Sequence, residues 1–249
     1  MRCLTLNYIY SKSWEKAIIL TKKLCNISKD ACLHPYHAQF LLQHASIHIQ
    51  CSPKKAMISL PIVLHCILLC KQYSMDSIHA SALFVMSKIH LFSNNAHKAQ
   101  TLLKASMSTV LQHSSIEVQG DAWLTLSKCY MTSAAANTAA STQKKKTFKL
   151  YLLALTHLQQ GIDLFTKIQD LFHLRECYYL QARIYHFLSS ANNNSNSSNN
   201  NSFISKRNVA ASKFQEMVIL LKENGKKKTG FDLLLSLVDS NYLEKLSLR

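Results

Sequence analysis

Apolar and polar positions alternate along this chain with a helical period, and the pattern itself recurs. A bulky side chain is followed four residues later by a small one, and three residues after that by an aromatic or a histidine. The triplets are Met1/Thr5/Tyr8, Leu41/Ala45/His48, Leu83/Ser87/His90, Trp123/Ser127/Tyr130 and Tyr178/Ala182/Tyr185. Their last members are separated by 40, 42, 40 and 55 residues. Positions i, i+4 and i+7 share one face of a helix. A small residue between large ones lets a second helix approach closely while the large ones fill the groove beside it. The pattern predicts helices near residues 2–10, 14–27, 35–50, 54–71, 74–93, 96–112, 115–133, 147–168, 171–189 and 203–223. Asn94–Asn95 and the Asp30–Pro35 stretch mark breaks. Pro53 suits a first helical turn, and Pro61 must either kink its helix or move its start.

The stretch "WLTLSKCY" (123–130) reproduces the first-helix pattern W-x2-L-G-x2-Y of a tetratricopeptide unit, with Ser127 for glycine. The matching second-helix pattern, A-x3-F, is met by Ala210/Phe214 and, with leucine for phenylalanine, by Ala99/Leu103; Met217 and Ser106 follow at the next packing position. The fold expected is all-α: a tetratricopeptide-like, right-handed α-solenoid of about five helix pairs over residues 1–223. "TSAAANTAASTQKKKT" (132–147) reads as an insert, and "SSANNNSNSSNNNS" (189–202) as a disordered polar loop. Residues 224–249 read as a basic linker followed by a capping helix, with Leu234, Val238 and Leu243 covering the end of the last repeat. Truncating Trp123 or Tyr185 to alanine is expected to cost about 3–5 kcal/mol if both are core.

Composition narrows the function. Four glycines and three prolines in 249 residues leave too few turn formers for an all-β chain, and neither a dinucleotide fingerprint nor a P-loop occurs. The formal charge of +16 comes from 29 Lys+Arg against 13 Asp+Glu, with runs at Lys144–Lys146 and Lys226–Lys228. Such a field attracts polyanions, but the aromatic residues read as spaced for packing and no nucleic-acid-binding motif is present. Nucleic acid is therefore disfavoured as a partner. Arg175, Arg183 and Lys128 read as solvent-facing. The eight cysteines show no CxxC spacing, and "MRCLTLNYIYSKSW" lacks an apolar signal core, so a reducing, intracellular setting is expected. The most apolar window, Met57–Cys70, is shorter than the roughly 18–20 residues that span a bilayer. It reads as a buried helix, with no membrane role.

Several residues raise chemistry and lose to packing. His44 and His48 have the i, i+4 spacing of zinc ligands, but Ala45 follows His44 where HExxH needs glutamate. Cys66 and Cys70, with His65 adjacent, lie in the most apolar helix. In "RECYYLQARIYH" (175–186), Tyr178, Ala182 and Tyr185 are expected to pack, with Cys177 flanking them. Neither Cys129 nor Cys177 has a context that would activate a thiol. The reading is an enzyme on no count: no catalytic, cofactor-binding or metal residue is assigned, and no cofactor or small-molecule substrate is implied.

Three stretches carry a more specific likeness. "LPIVLHCILLCKQY" (60–73), "GDAWLTLSKCYMTSAAAN" (120–137) and "LYLLALTHLQQGIDLFTKIQDLFHLRECYYLQARIYHFL" (150–188) together resemble the C-terminal tetratricopeptide region of subunit 5 of the anaphase-promoting complex. The "CKQY" and "YLQARIYH" elements go beyond the general repeat consensus, which demands neither Gln72, Gln181 nor Arg183. The resemblance implies a non-catalytic scaffold subunit of a cullin-RING-type ubiquitin ligase that controls mitotic progression. Its partners would be neighbouring platform subunits, and its location the nucleus and cytoplasm. The family's N-terminal domain is not visible here, so the chain looks like a C-terminal portion or a shortened gene model. A general tetratricopeptide adaptor or co-chaperone gripping acidic peptide segments is the alternative.

Overall fold

A computed structural model describes Tyr8 and residues 13–138, 144–191 and 197–227. Every regular element among them is helical, and no strand occurs among the described residues. The helices are α1 (Trp14–Asp30), α2 (His34–Cys51), α3 (Leu60–Gln72), α4 (Asp76–Phe92), α5 (Ala96–His113), α6 (Ile116–Thr138), α7 (Lys144–Lys167), α8 (Leu171–Ala191) and α9 (Ser197–Lys227). A 3-10 segment, Pro53–Ser59, precedes α3. The expected first helix (2–10) and the capping tail lie outside the described residues, apart from helical Tyr8.

The chain divides into two compact units, Met1–Leu164 and Phe165–Arg249. In the first unit, each helix from α1 to α6 packs on the next, and α2, α4 and α6 also touch in sequence. Contact between neighbours and between alternate helices is how a repeat stack builds one continuous core. The all-α class is therefore as the sequence reads, and the arrangement is compatible with a tetratricopeptide-like stack. α1 shows why such helices form: Ala17, Leu20, Thr21, Leu24, Cys25 and Ser28 are buried, an i, i+3, i+4, i+7, i+8, i+11 stripe. The small positions Ala45, Ser87 and Ser127 are fully buried, as close helix approach requires. Ser127 Oγ donates to the Ala154 carbonyl of α7 at 2.9 Å. Further along the same pair, a Cβ built on Gly161 of α7 would lie 3.4 Å from the Gly120 carbonyl of α6. Ala99, Leu103 and Ser106 line the buried side of α5.

In the second unit α8 and α9 pack along their lengths. Here the outcome differs from the expected stripe. Cys177, Ile184 and Leu188 are fully buried, whereas Tyr178, Ala182 and Tyr185 are half-buried, the two tyrosines meeting α9. Lys213 of α9 sits over the Tyr178 ring and Phe203 lies beside Tyr185. Cys177 therefore belongs to the core and does not merely flank it: it lies three residues before Leu180 and seven before Ile184, on the apolar side of the helix.

The helices also run further into the low-complexity stretches than composition suggests. α6 continues to Thr138 with Ala134 fully buried, α7 starts at Lys144, α8 reaches Ala191 and α9 starts at Ser197. Once a packed turn has nucleated a helix, each added residue gains a backbone hydrogen bond at little further cost. Pro61 moves a helix start: α3 begins at Leu60, with the proline in its first turn.

Candidate functional site

The polar groups inside the first unit are locked into packing. His44 on α2 and Thr21 on α1 meet at 2.8 Å. The Thr21 hydroxyl has one proton and already lies 2.8 Å from the Ala17 carbonyl, so it donates there and accepts from His44 Nδ1–H. His48 packs edge-on against His44, with centroids 4.7 Å apart. Burial, then the neighbouring His48 and Lys22, push His44 down to about 4. The pair is thus two neutral rings in an aromatic contact. Nearby, His37 Nδ1–H donates to the Cys25 carbonyl at 3.0 Å and faces His65 edge-on at 6.0 Å; burial lowers its affinity for a proton.

Cys66 and Cys70 bring their sulfurs within 4.0 Å, and Cys66 donates to the Ala38 carbonyl. Burial raises both thiols, and it raises Cys25 to about 11 and Cys129 to about 12. A nucleophile or metal ligand needs the thiolate, and these sites disfavour it. None of the described cysteines is in a disulfide. Among the described residues no three His, Cys, Asp or Glu side chains are placed to hold a metal ion.

What remains is surface. Trp123 and Tyr130 of α6 each stack on His157 of α7, at 5.2 and 5.3 Å with rings within 17° of parallel. Lys104 of α5 lies over Tyr130, and Lys88 of α4 forms an ion pair with Asp121 of α6. These contacts fix helix faces against one another.

The second unit carries a different surface. Asp170 caps α8 by accepting the backbone N–H groups of Phe172 and His173, both at 3.1 Å, and its other oxygen holds the His173 ring at 2.6 Å. Burial raises the Asp170 carboxyl, but the hydrogen bonds from His173 and Phe172 outweigh it and leave the group below the usual carboxylate range. From this anchored start, Phe172, Arg175, Tyr179 and Arg183 follow at i, i+3, i+7 and i+11. Phe172 is 53% exposed and Tyr179 48%. The Arg175 guanidinium lies 4.9 Å over Phe172, and that of Arg183 lies 5.7 Å over Tyr179. Sequence reading placed both arginines toward solvent but did not see that aromatics alternate with them. The signal was present as a second 3.6-period stripe on the helix already assigned a packing stripe. Lys128 is half-buried on α6.

The described residues form an all-α arrangement of packed helices, compatible with a tetratricopeptide-like repeat. No family model matches the chain. It is similar to the anaphase-promoting complex subunit 5 of Rattus norvegicus, with 27% identity over 131 residues. Those residues are 53% of this chain and 17% of the rat protein. The subunit 5 proteins of Homo sapiens and Mus musculus match over the same length at 26% and 25%. The matched stretch thus spans about one sixth of these relatives' length.

No helix among the described residues is long and apolar enough to cross a membrane.

Proposed function

We propose that the protein is a non-catalytic scaffold subunit of an anaphase-promoting-complex-type ubiquitin ligase, acting in the cell cycle in the nucleus and cytoplasm. It would hold neighbouring platform subunits together through protein–protein contacts. The observation that carries this reading is the likeness to subunit 5 over 131 residues of a chain built only from packed helices. The mechanism is geometric. Paired helices present long, stiff faces, on which partner helices or extended segments lie. Burial raises the Cys66 and Cys129 thiols, which disfavours their use as nucleophiles.

Affinity purification of the tagged chain under native conditions, followed by mass spectrometry, tests this. Recovery of several subunits of one ubiquitin ligase in near-stoichiometric amounts is expected. Recovery of chaperones alone would replace the proposal with the adaptor reading.

A further inference from the structure

We infer that the exposed face of α8 is a docking site for an acidic segment of a partner protein, with apolar side chains between its carboxylates. The inference rests on the scaffold reading and names the chemistry of one partner.

Single exposed apolar side chains are common, but aromatics alternating with arginines along one helix face form a contiguous patch. Phe172 and Tyr179 stand about half in solvent on one side of α8, each with an arginine over its ring. The stripe from Phe172 to Arg183 is about 17 Å long at 1.5 Å per residue. Phe214 of α9 extends the patch, its ring 5.9 Å from Tyr179. Arg207 lies two turns before Phe214 on α9, on the same side. Two guanidinium groups thus sit over two of the three rings, with Glu176 the acidic residue flanking the stripe on α8. Tyrosine and arginine are the residue types that dominate binding energy at protein interfaces. A guanidinium stacked on a ring still presents its edge for two parallel hydrogen bonds to a carboxylate. The rings supply apolar contact between those charges. Charge complementarity selects the occupant: the chain carries +16 and this face is arginine-rich. A single-stranded nucleic acid would also meet cations and rings. The peptide is favoured because Arg175 and Arg183 already lie over the Phe172 and Tyr179 rings, on which bases would have to stack.

The test uses the full chain and two fluorescent probes: a twelve-residue peptide alternating glutamate with leucine and phenylalanine, and a twelve-nucleotide oligouridine. The peptide is expected to bind with an affinity that falls at least tenfold in Arg175→Glu/Arg183→Glu and several-fold in Tyr179→Ser. Lys23→Glu/Lys71→Glu, which makes the same change in net charge away from the patch, should leave binding within twofold. Equal loss in both charge-reversal variants would overturn the site, leaving only net charge as the cause. Tighter binding of oligouridine than of peptide would overturn the occupant. Tyr179→Ser keeps the test valid if the double variant fails to fold, since unchanged peptide affinity there would overturn the site by itself. Ligase subunits recovered normally by a variant that has lost the peptide would keep the scaffold reading and confine this contact to a different partner. Peptide binding without any ligase subunit would sink the scaffold reading and keep the site.

Discussion

His44 shows at the residue scale how this chain spends its histidines. The ring gives one proton to a threonine, faces a second histidine, and is pushed down to about 4 by burial. Its folded value lies below the unfolded one of about 6.5. Between those pH values the unfolded chain binds more protons than the fold, so stability falls as pH drops. His37, His48, His90 and His157 shift the same way, each first by burial. The urea midpoint should therefore be lower at pH 4.5 than at pH 7. His44→Gln should flatten that dependence by on the order of 1 kcal/mol, after discounting for partial exposure; an unchanged slope would remove His44 from the interior. The core is also legible by residue. Leu124 is fully buried whereas its neighbour Trp123 is half-buried over His157. Leu124→Ala should cost about 2–5 kcal/mol, and Trp123→Ala less, below the 3–5 kcal/mol expected of a full core position. Denaturant unfolding of the two variants checks the order. The sequence repeat marked Trp123 by its size, but solvent access depends on what lies across from it, which a single stripe does not encode.

The helices are joined by a recurring turn. Cys32, Ser74, Asn94 and Gln169 all take positive φ, between 52° and 58°. After each, the next residue donates its N–H to a carbonyl five residues back: Leu33 to Ser28, Met75 to Cys70, Asn95 to His90 and Asp170 to Phe165. This is a Schellman end, which normally takes glycine. The breaks were read at Asp30–Pro35 and Asn94–Asn95, but the scarcity of glycine hid which residue turns left-handed at Cys32, Ser74 and Gln169; only Asn94 is of a type that tolerates that region. Ser74→Gly should raise stability by about 0.5–1 kcal/mol by relieving the Cβ strain. A loss measured by thermal or urea unfolding would contradict the turn. Helix positions were otherwise readable because each buries a stripe of period 3.6, as α1 and α5 do. The 3-10 entry to α3 was not, since Pro61 allowed either a kink or a later start.

Across the whole molecule, the repeat near forty residues made the all-α stack legible before any contact was known. Burial of Ala45, Ser87 and Ser127 and the contacts among α2, α4 and α6 show why it works. The candidate surface was only half legible. Arginine and aromatic spacing on α8 lay in the sequence, but exposure separates a binding stripe from a packing stripe, and exposure is set by neighbours distant in the chain. Net charge, which in the sequence pointed loosely to polyanions, acquires a place at Arg175 and Arg183. The central claim is that this stack of helices is one part of a large protein assembly. Sedimentation of the tagged chain from a native extract tests it most directly. The chain should travel in a fast-moving peak together with ubiquitin-ligase subunits; a folded chain that sediments alone, at the size expected of 249 residues, would contradict the account.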